Sequence, residues 1–74
     1  MDKKQKFNFY VDALTRGDAE YETTEHVEAY TVEQAVDDLR YSYASRGNDI
    51  FRIRQIIGQP WETKTVYLAQ GQDY

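Results

Sequence analysis

His26 is the only histidine in this 74-residue chain, and it stands in "ETTEHVE" with Glu22 four residues before it and Glu28 two after. In an extended segment these three side chains share one face, because successive side chains alternate. Two carboxylates and an imidazole can hold a metal loosely, but the set lacks the ligand spacing of a zinc site and reads as solvated strand residues. Ser42 and Ser45 have no base at a fixed offset that would make either a nucleophile. Gly17, Gly47, Gly58 and Gly71 are isolated turn residues, so there is no glycine-rich phosphate loop. The expectation is a protein without catalytic residues, metal or cofactor.

The stronger pattern is acidic. Residues 17–38 hold Asp18, Glu20, Glu22, Glu25, Glu28, Glu33, Asp37 and Asp38 with no lysine or arginine, a formal charge of −8 against −4 for the whole chain. The remaining residues therefore sum to +4. Two readings follow. Acidic residues on an exposed edge strand deter unwanted sheet pairing and keep a protein soluble. Alternatively, a domain this polarised docks electrostatically, since complementary charge accelerates and orients encounter. Carboxylates at every second strand position lie about 6.6–6.8 Å apart. That is close to two steps of the roughly 3.4 Å per-strand phosphate repeat of duplex DNA, so an acidic strand can occupy a basic nucleic-acid groove. A second candidate site is an aromatic and arginine platform of Tyr10, Arg52 and Arg54, the kind of surface on which single-stranded bases stack.

These side chains need a scaffold, and the hydrophobic pattern specifies one. "KFNFYVDAL" alternates apolar Phe7, Phe9, Val11 and Ala13 with Lys6, Asn8, Tyr10 and Asp12, which predicts a strand over 6–14. "TRGD" has turn chemistry, with Gly17 expected at positive φ, and a second strand follows over 19–30. The period then changes. "TVEQ" fits a capping box from Thr31 and Gln34, and Val32, Ala35, Val36, Leu39 and Tyr43 recur at helical spacing over 32–46. Gly47 is the expected left-handed residue at the helix end. Alternation returns over 50–57, with Phe51, Ile53 and Ile57 expected inward and Ile50, Arg52, Arg54 and Ile56 outward. It returns again over 62–69, with Val66 and Leu68 inward; 70–74 reads as a frayed tail.

The fold class expected is α+β, a ββαββ chain with a four-stranded antiparallel sheet in order 2-1-3-4 and one helix on one face. The length suits one domain, near the size at which a chain buries only roughly 60% of its unfolded surface. No cysteine is present, which fits a reducing, cytoplasmic compartment, and no stretch approaches the roughly 20 apolar residues of a membrane span. Seven tyrosines, three phenylalanines and one tryptophan suit half-exposed contact surfaces.

The hairpin, the helix "YTVEQAVDDLRYSYASRG" and the returning strand "DIFRIRQI" give residues 6–57 a layout that resembles small acidic proteins of bacteriophages and mobile elements, several anti-CRISPR proteins among them. What the resemblance implies is an inhibitor of a host nucleoprotein or defence complex, acting in the bacterial cytoplasm and sometimes occupying the nucleic-acid path. The expectation is thus a protein-binding module whose site is the acidic set Asp18 to Asp38. The alternatives are a small nucleic-acid-binding accessory protein using Tyr10, Arg52 and Arg54, and a subunit of a larger assembly or a homodimer.

Overall fold

The computed structural model of the chain describes residues 3–69. It contains strands β1 (Gln5–Leu14) and β2 (Glu20–Ala29), helix α1 (Val32–Ser45), and strands β3 (Asp49–Ile56) and β4 (Thr63–Leu68). The strands form one antiparallel sheet in the order β2-β1-β3-β4, the order the alternation predicts. The tail expected over 70–74 lies outside the described residues.

The helix starts as its residue chemistry requires. The Thr31 hydroxyl accepts from the Gln34 amide at 3.0 Å, while the Gln34 side chain reaches back to accept from the Tyr30 amide at 2.7 Å. Its end satisfies two otherwise orphaned carbonyls: Gly47 N–H donates to Ala44 O and Asn48 N–H to Tyr43 O, each at 3.0 Å. That geometry needs a left-handed residue, and Gly47 supplies it at φ 81°. In the β1–β2 turn the corresponding residue is Asp18, at φ 62°, rather than Gly17. Short polar side chains tolerate this region, so the turn keeps its form with glycine one position earlier than needed.

The core joins one sheet face to the helix. Phe9, Val11 and Ala13 of β1, Ala29 of β2, and Ile50 and Ile53 of β3 pack with Ala35, Val36, Leu39 and Tyr43 of α1. Phe9, Val11 and Ile53 are fully buried; such side chains each contribute about 1.5–3 kcal/mol by leaving water.

Two bulges correct the simple alternation. Asp12 pairs with Arg52 but Ala13 with Ile50, leaving Phe51 as an extra residue in β3. Ile50 is therefore returned to the helix side, where outward projection was expected, and Phe51 is buried outside that cluster. In the β3–β4 pair, Ile53 faces Tyr67 and Arg54 faces Thr65, so Val66 is the extra residue. Val66 and Tyr67 both pack against the helix-side core, and Leu68, expected inward, is 41% exposed. Ile57, also expected inward, falls beyond the end of β3 and is 59% exposed. Among the described residues no helix is long and apolar enough to cross a membrane.

Candidate functional site

Strand β2 is an end strand of the sheet, and its glutamates are divided between the two faces by the pleat. Register places Glu20, Glu22, Thr24, His26 and Glu28 opposite Leu14, Asp12, Tyr10, Asn8 and Lys6, on the face away from the helix. Glu20, Glu22 and Glu28 are exposed there. The acidic row is interrupted at Thr24 and at His26, whose Nδ1 lies 2.6 Å from Asn8 Oδ1. Among the described residues no cluster of His, Asp or Glu is placed to hold a metal ion.

Glu25 belongs to the opposite face, where it pairs with Phe9 and accepts a hydrogen bond from the Tyr43 hydroxyl. Burial, that hydrogen bond and the nearby carboxylate charge together push the Tyr43 pKa well above the ordinary phenol value. Asp18 sits in the turn, Asp38 is exposed on α1, and Glu33 and Asp37 line a groove between α1 and β4. The eight acids therefore wrap the β2 edge and the adjoining helix rather than forming a patch on one face.

The structure also brings Tyr10, Arg52 and Arg54 together on the open face of the two central strands. They are engaged with one another and with acids. Arg52 Nε donates to Asp12 Oδ2 at 2.7 Å, and Asp12 is only 6% exposed. Arg54 Nη2 donates to Glu22 Oε2 at 2.5 Å, while its guanidinium lies 5.2 Å from the Tyr10 ring centroid. The Tyr10 hydroxyl donates to the Pro60 carbonyl at 2.9 Å. A base has no free ring face on the Arg54 side of Tyr10, and both arginine charges are at least partly balanced.

Sequence reasoning treated the acidic strand and the arginine platform as separate sites, and pairing makes them neighbours. The signal was available: Asp12, Glu22, Arg52 and Arg54 all occupy outward positions on strands assigned as adjacent. What pattern reading missed is the β3–β4 loop. It is braced by Ile57 N–H to Glu62 O at 2.9 Å, Glu62 N–H to Gln59 O at 2.8 Å and Gln59 N–H to Glu62 Oε1 at 2.9 Å. On it Trp61 is 77% exposed beside Ile57. No family model, curated protein or solved structure matches the chain.

Proposed function

We propose that this chain is a non-enzymatic protein-binding module that docks through its β2 edge and the adjoining acids of α1 onto a basic surface. The observation that carries this reading is the end-strand position of β2, which leaves Glu20, Glu22 and Glu28 exposed within a 22-residue span that contains no cation. A basic surface of that extent is typical of the nucleic-acid path of a processing or defence complex, so the module acts as an inhibitor that fills this path. The resemblance to phage and mobile-element proteins points the same way. Direct nucleic-acid binding draws less support, because Arg52 and Arg54 are spent on Asp12 and Glu22.

The test uses the wild-type chain and a Glu20→Lys, Glu28→Lys, Asp38→Lys variant as parallel baits in a bacterial lysate. Glu22 is left in place because Arg54 holds its carboxylate. Exposed charges contribute little to folding, so the variant keeps its melting temperature. Mass spectrometry should find a nucleic-acid-processing protein on the wild type and not on the variant. Equal capture by both baits contradicts the reading.

A further inference from the structure

The second sheet edge differs from the first. β2 carries four glutamates, whereas β4, "TKTVYL", carries one lysine and no acid. β4 is also an end strand, and among the described residues no strand pairs with its outer side. Such an edge presents unpaired N–H and C=O groups, and β2 has charges to discourage a partner that β4 lacks.

Behind this edge lies a groove of about 530 Å³, with Val32, Val36 and Val66 in its lining. It exists because α1 lies mainly against β2 and β3. One wall is closed by Arg40, whose guanidinium sits 4.5 Å from the Tyr67 ring centroid. On the helix rim stand Glu33 and Asp37, and neither pairs with a cation among the described residues.

The geometry points to strand addition: an extended peptide pairs with the free backbone edge of β4 and lays alternate side chains into the α1–β4 groove. The charge of the rim selects its chemistry. Glu33 and Asp37 are four residues apart on the helix, a rise of about 6 Å, and alternate residues of an extended chain are about 6.6–6.8 Å apart. Two lysines or arginines at positions i and i+2 therefore meet both carboxylates, with their methylene stems covering the valines. The occupant is an extended basic peptide with valine-like or threonine-like residues around the two cations. This site is separate from the β2 edge and stands independently of the docking reading.

The probe is a blocked eight-residue peptide with lysine at its fourth and sixth positions and valine and threonine elsewhere, titrated into ¹⁵N-labelled full chain. Amide shifts are expected across Thr63–Leu68 and at Val32 and Val36, together with slowed hydrogen exchange in β4 and a change in the fluorescence of Trp61, the only tryptophan. Replacing the two lysines by glutamate, or Glu33 and Asp37 by lysine, should weaken binding at least about tenfold. A proline at the fifth peptide position removes a backbone donor and should weaken it comparably. The Glu20→Lys, Glu28→Lys, Asp38→Lys variant should bind the peptide as the wild type does, which separates this site from the β2 edge. No shifts at millimolar peptide, shifts centred on β2, or equal binding of the proline peptide overturns the proposal.

Discussion

Tyr43 is 3% exposed and gives its hydroxyl proton to the Glu25 carboxylate, so ionising it in the folded state would set a phenolate beside a carboxylate in a poorly solvated place. The unfolded chain meets no such obstacle and loses that proton near pH 10.0. A pKa raised on folding supplies stability that is complete below the unfolded value and is lost as pH rises above it. Denaturation followed from pH 9 to pH 12 should therefore show the wild type losing up to about a factor of ten in folding constant per pH unit above 10. Tyr43→Phe should lack that component of the decline. Parallel pH profiles for the two proteins would mean that the Tyr43–Glu25 contact is absent in solution. Asp12 is the other residue whose partner matters: it is buried, and Arg52 is what keeps its charge there, so Arg52 serves the sheet before it can serve a ligand.

The helix end gives the element-scale test. Gly47 has φ 81° and Gly17 does not adopt the left-handed region, so the two glycines respond differently to substitution. Gly47→Ala should cost about 1–2 kcal/mol for the left-handed backbone. Its Cβ would also fall 2.3 Å from Arg16 Nε, although that flexible side chain can move away. Gly17→Ala meets nothing closer than Thr15 Oγ1 at 4.0 Å and should change stability by less than about 0.5 kcal/mol in chemical denaturation. Equal losses at both sites would contradict the turn geometry. The same elements show what a sequence makes legible. Thr31, Gln34 and Gly47 announce the helix ends because capping is local chemistry, and the apolar stripe from Val32 to Tyr43 announces its buried face. The bulges at Phe51 and Val66 are tertiary. "DIFRIRQI" alternates well enough to hide an extra residue, and only packing Ile50 and Ile53 together against α1 reveals it. Ile50, Ile57 and Leu68 were misplaced for that reason and because strand ends are set by pairing. The acidic set was legible as composition, whereas its division between two faces depended on the register that carries Glu25 under the helix.

At the scale of the molecule, the charge is arranged around the sheet edges. Acids are exposed along β2, arginines on the central strands are partly balanced by Asp12 and Glu22, and β4 has a single lysine. A free acidic edge makes long-range attraction the first event in meeting a basic partner, and that attraction is screened over about 8 Å at physiological ionic strength. The most direct test is the association rate of the captured partner, measured by surface plasmon resonance from low to high salt. The wild-type rate should fall steeply with ionic strength, by about tenfold or more, and the Glu20→Lys, Glu28→Lys, Asp38→Lys variant should associate slowly at every salt concentration. A wild-type rate insensitive to salt, or a variant that associates as fast as the wild type, would contradict docking through the acidic edge.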